Sequence, residues 1–122
     1  MSKEQIIAFG ATSNGKKSRA FYESVLGLTC VEANDYATVY NCNGTMLRIQ
    51  NVSDVSPQPH TMLGWSVKDI TGELVALKKR GVRFEIFGCL NTVANPVWNS
   101  PSGAKVAWFK DPDGNTLSLT QL

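Results

Sequence analysis

The residues able to do chemistry are few, and their spacing excludes more than it offers. His60 is the only histidine in the 122-residue chain, and without a partner placed by sequence it defines no Ser-His-Asp or Cys-His arrangement. Cys30, Cys42 and Cys89 are an odd number and form no CxxC pair. Neither a disulfide framework nor a zinc knuckle fits, and all three read as reduced thiols. The run Asp111-Pro112-Asp113-Gly114-Asn115 has the composition of a calcium loop. A loop begun at Asp111 needs Gly at its sixth position and Glu at its twelfth, where this chain has Thr116 and Leu122. No glycine loop suited to cradling phosphate is present. There remain a guanidinium, Arg48, in an apolar run, the amide of Gln50, and the aromatics Phe9, Tyr36, Tyr40, Trp98 and Trp108, which suit stacking on a flat ligand.

Composition narrows the partners of such a set. Twelve Lys and Arg against ten Asp and Glu leave a net charge of +2, spread evenly along a chain that is 43% hydrophobic and 18% charged. No basic stripe of the kind nucleic acid requires is formed. No run approaches the ~18 apolar residues of a membrane span, and Met1-Ser2-Lys3-Glu4-Gln5 lacks the layout of a secretion signal. The expectation is one cytoplasmic domain, 1–122, whose partner is a small molecule, with no nucleic acid and no membrane.

The elements that must position these side chains come in a repeated order. Gln5–Ala11 is a short apolar run ending in Thr12-Ser13-Asn14-Gly15, which predicts a strand and a turn. A helix comes next, capped by Ser13 or Asn14. Ala20, Phe21, Val25 and, one turn beyond Tyr22, Leu26 make its buried face, and Gly27 stops it. Strands are predicted over Thr29–Glu32, Ala37–Cys42 and Met46–Asn51, the last two joined by the hairpin signal Asn43-Gly44. The second half begins with a strand at Thr61–Val67. A helix capped by Asp69 then carries Ile70, Leu74 and Leu77 on one face and ends at Gly81. Next come a strand at Val82–Ile86, an irregular stretch from Phe87 to Gly103, and a hairpin of Ala104–Phe109 with Thr116–Gln121. Module one is thus 4–52, the polar, Pro-punctuated segment 53–59 is a linker, and module two is 60–122. Each module is too small to bury a sheet face alone.

This doubled β-α-β-β-β order contains two local motifs, Ala20-Phe21-Tyr22-Glu23-Ser24-Val25-Leu26-Gly27-Leu28 and Phe109-Lys110-Asp111-Pro112-Asp113-Gly114-Asn115. With them the chain resembles the vicinal oxygen chelate superfamily, the group of glyoxalase I, extradiol dioxygenases, fosfomycin resistance enzymes and bleomycin resistance proteins. The resemblance implies an α+β fold in which two βαβββ modules form a curved mixed-sheet cup, commonly in a homodimer. Metal-using members draw two ligands from the first and last strand of each module, and the metal acts as a Lewis acid on paired substrate oxygens. Aligned through the two motifs, those positions fall on Ile7, Arg48, Met62 and Ser118. None is a usual ligand for a divalent cation, so no metal or other cofactor is expected.

Strand alternation expects Ile7, Phe9, Met46, Arg48, Gln50, Met62, Gly64, Ser66, Thr116, Ser118 and Thr120 on the cup side. Arg48 reads either as a sheet-edge or dimer-contact arginine, or as a pocket cation that pairs with a carboxylate or phosphate. His60 reads as a linker residue, as a hydrogen-bonding or acid/base group in the pocket, or, with Gln50, as a displaced metal ligand. Trp98 is expected in a loop and Trp108 has ambiguous parity, because Trp108 and Phe109 cannot both face the core. The ligand pocket is therefore assigned to Ile7, Phe9, Arg48, Gln50, His60, Met62, Trp98, Trp108 and Ser118, with no catalytic residue named. The function expected is metal-independent binding of a small aromatic or anionic ligand. The alternative is a metal-dependent lyase or isomerase resembling lactoylglutathione lyase, or a dioxygenase, with shifted ligands.

Overall fold

The computed structural model describes all 122 residues. They divide into two compact units, 1–56 and 57–122, each holding one four-stranded mixed sheet. In the first, strands β1 (Ile7–Thr12), β2 (Thr29–Ala33), β3 (Ala37–Cys42) and β4 (Thr45–Asn51) lie in the order β1-β4-β3-β2, with β1 parallel to β4 and the other pairs antiparallel. Asn43 and Gly44 both take positive φ, 50° and 92°, as the tight β3–β4 turn requires. Leu47 and Ile49 of β4 and Tyr40 of β3 are buried. They share one sheet face, and the intervening residues point to the other.

Between β1 and β2 lies helix α1 (Gly15–Arg19), whose Lys17 N–H is accepted by the side chain of Asn14. It runs on as a π-helical segment, Ala20–Val25, closed by the Leu26 N–H on the Phe21 carbonyl at 3.0 Å. This wider turn overturns the expected buried face. Ala20 is exposed, Phe21, Val25 and Leu26 are only half-buried, and Ser18 and Tyr22 are the residues that are fully covered. The extra residue per turn rotates the later side chains of the segment away from the places an α-helix would give them. Glu23 takes the Arg19 Nε–H at 2.7 Å and the Tyr40 hydroxyl at 3.0 Å.

These contacts have a pH consequence. The Arg19 guanidinium holds the Glu23 carboxyl below its usual range. Burial, aided by the Glu23 carboxylate, pushes the Tyr40 phenol well above its ordinary value. Unfolded, Tyr40 releases its proton near pH ~10, whereas the fold retains it, so above that pH the unfolded state binds fewer protons. The stabilisation is complete below about pH 10 and declines as pH rises further. Urea midpoints of the wild type and Tyr40→Phe should therefore converge as pH is raised through that range, and a constant gap would contradict the contact.

The second unit contains β5 (Thr61–Ser66), α2 (Ile70–Lys79), β6 (Trp98–Asn99), β7 (Lys105–Lys110) and β8 (Thr116–Gln121). Its sheet order is β5-β8-β7-β6, with β5 parallel to β8. Asp69 caps α2 by accepting the Gly72 N–H, and the Ile70 N–H is taken by the side chain of Gln121 at 2.9 Å. Ile70, Leu74 and Leu77 of α2 are buried, as are Ala107, Phe109, Leu117 and Leu119 of the sheet. The β7–β8 turn is held by Asp111, whose Oδ1 accepts the Asp113 and Asn115 N–H groups at 3.0 Å each. Its Oδ2 accepts the Asn115 amide at 2.9 Å. The acidic run is thus a turn scaffold, its first carboxylate engaged by the turn itself.

Two expectations are corrected here. Val82–Ile86 is not a strand: it pairs with β7 through one bridge, Phe84 to Phe109, in which the Glu85 N–H donates to the Trp108 carbonyl at 2.7 Å. Trp98, expected in a loop, starts β6, which pairs with β7. The reason for the first is local. At Phe87 the backbone N–H turns to the side chain of Asn91 rather than to β7, and the ladder stops.

Candidate functional site

Two sheet faces carry the chemistry, one in each unit. On the first, the register sets Phe9, Arg48 and Val39 side by side across β1, β4 and β3, with the row Ile7–Met46–Asn41 before it and Ala11–Gln50–Ala37 after it. These rows face away from the buried Tyr40, Leu47 and Ile49. Ile7 is 47% and Phe9 50% exposed. Gln50 is exposed, and Arg48 is half-buried. Arg48 enters no ion pair, the two in the structure being Arg19–Glu23 and Lys110–Glu85. Its row neighbours are an aromatic and an aliphatic side chain. The acid that shares its face, Glu32, pairs with Val39 in β2 and stands two strands away.

One register row from Arg48 lies a cleft of about 660 Å³, which Val39 and Met46 line and Arg48 does not. Its floor is Ile7, Val39, Asn41 and Met46, its wall the segment Lys3–Ile6, and Val31 closes one side. Val39, Asn41 and the Lys3–Ile6 segment were not in the expected pocket. Alternation along β3 could have supplied Val39 and Asn41, but the chain before β1 carries no periodic signal.

On the second face the register joins Gly64, Ser118 and Trp108, which settles the parity of Trp108: it lies opposite the fully buried Phe109. Trp98 stands at 6.0 Å from it, centroid to centroid and tilted by 30°, and Phe87 meets it edge-on at 5.3 Å. The Trp108 indole N–H donates to the Thr61 hydroxyl at 3.1 Å, which orients the ring. Ser118 is buried, and a Cβ at Gly64 would come to 2.5 Å from its hydroxyl. The lack of a side chain at Gly64 therefore makes room for Ser118.

Residue 62 departs from the expected alternation. The β5–β8 register jumps between Thr61 and Leu63, so Met62 is the extra residue of a bulge. It is Thr61 that reaches Trp108. Phe87 and Thr61 were missed for related reasons: one lies in the irregular stretch, and the other was hidden by a bulge that leaves no mark in sequence.

His60 is exposed in the bend before β5, and no hydrogen bond ties it to the face that holds Trp108. Holding a divalent cation requires convergent His, Cys, Asp or Glu side chains. Ile7 and Arg48 in one unit and Met62 and Ser118 in the other offer no such donor. Within neither unit do three residues of those four types gather as a metal site. The residues present do not fit the divalent metal of the metal-using superfamily members.

Two mixed sheets, each with a helix between its first and second strands, define the class of βαβββ repeat proteins. Residues 10–119 match the Glyoxalase/Bleomycin resistance protein/Dioxygenase superfamily, and the chain belongs to that family. Solved structures agree on the fold. An integron cassette protein from the mobile metagenome of the Halifax Harbour sewage outfall matches with a TM-score of 0.77 at 22% identity, covering 98% of this chain and 99% of that one. A genomically encoded fosfomycin resistance protein from Listeria monocytogenes matches at 0.78 and 12% identity, covering 100% and 95%. Lactoylglutathione lyase from Agrobacterium tumefaciens matches at 0.72 and 15% identity, covering 98% and 95%. None of the curated proteins compared with it matches by sequence. No helix is long and apolar enough to cross a membrane.

Proposed function

We propose that the chain is a small-molecule binding protein of the glyoxalase and bleomycin resistance type that works without a metal. The observation that carries this is the donor set. The four positions that the family resemblance aligns with metal-ligand positions hold Ile7, Arg48, Met62 and Ser118, none of them a usual ligand for a divalent cation. The face of Trp98, Trp108 and Phe87, with its oriented indole, offers a flat aromatic ligand the stacking and edge contacts that are worth about 0.5–1.5 kcal/mol per ring pair beyond burial. Hydroxyls at Thr61 and Ser118 supply the polar points that fix orientation in a mostly apolar site.

Thermal unfolding with added metal tests the claim. Anything that binds the native state in preference to the unfolded one raises Tm by mass action. Stoichiometric Ni²⁺, Zn²⁺, Mn²⁺ or Fe²⁺ is expected to leave Tm where chelator leaves it. A rise saturating at one equivalent would contradict the proposal.

A further inference from the structure

We infer that the first unit holds its own ligand site, and that the ligand is an organic anion: an apolar body in the cleft of Ile7, Val39 and Met46, with a carboxylate on Arg48. This deepens the small-molecule reading above and rests on it. The cleft, at about 660 Å³, lies within the roughly 300–1,000 Å³ typical of small-molecule sites. Val39 connects the two features, since it lines the cleft and is also the register partner of Arg48. Met46 and Arg48 are two residues apart on one strand and point to the same face. Their Cα atoms are about 7 Å apart, a span that the long arginine side chain covers.

Charge selects the ligand. Arg48 is half-buried beside Phe9 and Val39 and forms no ion pair. A half-buried guanidinium is stabilised by a planar acid that takes two of its N–H groups at once. Lys3 adds a second cation at the wall, and Glu4 beside it is exposed and the one acid lining the cleft. The floor is aliphatic and thioether at Ile7, Val39 and Met46, with one amide at Asn41, so the body of the ligand is mainly apolar. Arg48 thereby supplies positive charge at a position where metal-using relatives hold a metal ligand, and it recognises an anionic oxygen pair without one.

Octanoate and its neutral counterpart 1-octanol are the probes, titrated by amide chemical shifts. Octanoate is expected to shift Ile7, Val39, Met46 and Arg48 in a saturable way and to bind more tightly than octanol. Arg48→Gln should weaken octanoate by about tenfold to a hundredfold, the loss of a charged hydrogen-bonded pair, and leave octanol unchanged, which also reports that the variant is folded. Arg48→Lys, which keeps charge but not the fork, should fall between. Equal octanoate affinity in wild type and Arg48→Gln, shifts confined to the second unit, or no saturable binding would each overturn the inference. If octanoate fails while an aromatic probe still quenches Trp108 in chelator, the function proposed above stands and this site does not. If both fail, both are rejected.

Discussion

Replacing Phe109 with alanine is expected to remove about 3–5 kcal/mol of folding stability, a large part of the 5–15 kcal/mol that holds a typical domain together. The phenyl ring is fully buried and meets Phe84 edge-on at 5.7 Å. Its backbone bridges the same residue and pairs with Leu117. Truncation therefore opens a cavity and also loosens the run from Val82 to Ile86, which pairs with β7 through that single bridge. Phe109→Leu keeps most of the volume and should cost less than about 1.5 kcal/mol. Val93→Ala, at a site 82% exposed, should leave the urea midpoint unchanged. Urea denaturation of the three variants reads the order directly, and a Phe109→Ala cost below about 1 kcal/mol would mean that the second unit is not organised around this ring.

Asn91→Ala should be almost as damaging, by about 2–4 kcal/mol, and should reach the aromatic face as well. Asn91 is 5% exposed. Its Oδ1 accepts the Phe87 N–H at 2.8 Å, and its Nδ2 donates to the carbonyls of Glu85 and Pro96 at 2.9 Å each. One amide thus ties the end of the Val82–Ile86 run to the segment that enters β6, and so sets Phe87 and Trp98 about Trp108. Alanine leaves three backbone groups without partners, and each buried orphan costs about 1–3 kcal/mol unless water reaches it. Asn91→Asp is the sharper test. The carboxylate still accepts from Phe87 but faces two carbonyls it can no longer donate to, so the variant should be at least as unstable at neutral pH. It should recover part of the loss as acid protonates it. Urea midpoints across pH, with tryptophan emission as a second signal, check both effects. An Asp variant as stable as wild type at neutral pH would contradict the bonding scheme.

The same residues show why only part of the molecule was legible in sequence. The β3–β4 turn was readable at Asn43-Gly44 because two adjacent positive-φ residues demand such a pair. Helix α2 was readable because Asp69 and Gly81 mark its ends by local chemistry. Segment Val82–Ile86 has a strand-like composition, yet its ladder is cut by Asn91, whose three bonds reach residues four to six places away in a pattern that neither composition nor period announces. The two-residue strand β6 exists only through its pairing with β7, so no period could announce it. A π-turn and a bulge each shift residues by one place, and a one-place shift is enough to move a side chain to another face. That is why Thr61 rather than Met62 meets Trp108. Arg48 was visible because the alternation of β4 sets it opposite Leu47 and Ile49, at a position marked by the family resemblance, whereas the cleft near it depends on where the first six residues run.

The most direct measurement is a tryptophan-emission titration of the protein with 2-naphthoate, a flat aromatic carboxylate, in the presence of EDTA and again with excess Ni²⁺. Binding without a metal predicts saturable quenching with the same midpoint in both, weakened by Trp108→Leu. Quenching that requires Ni²⁺, or that is absent in EDTA and restored by metal, would contradict it.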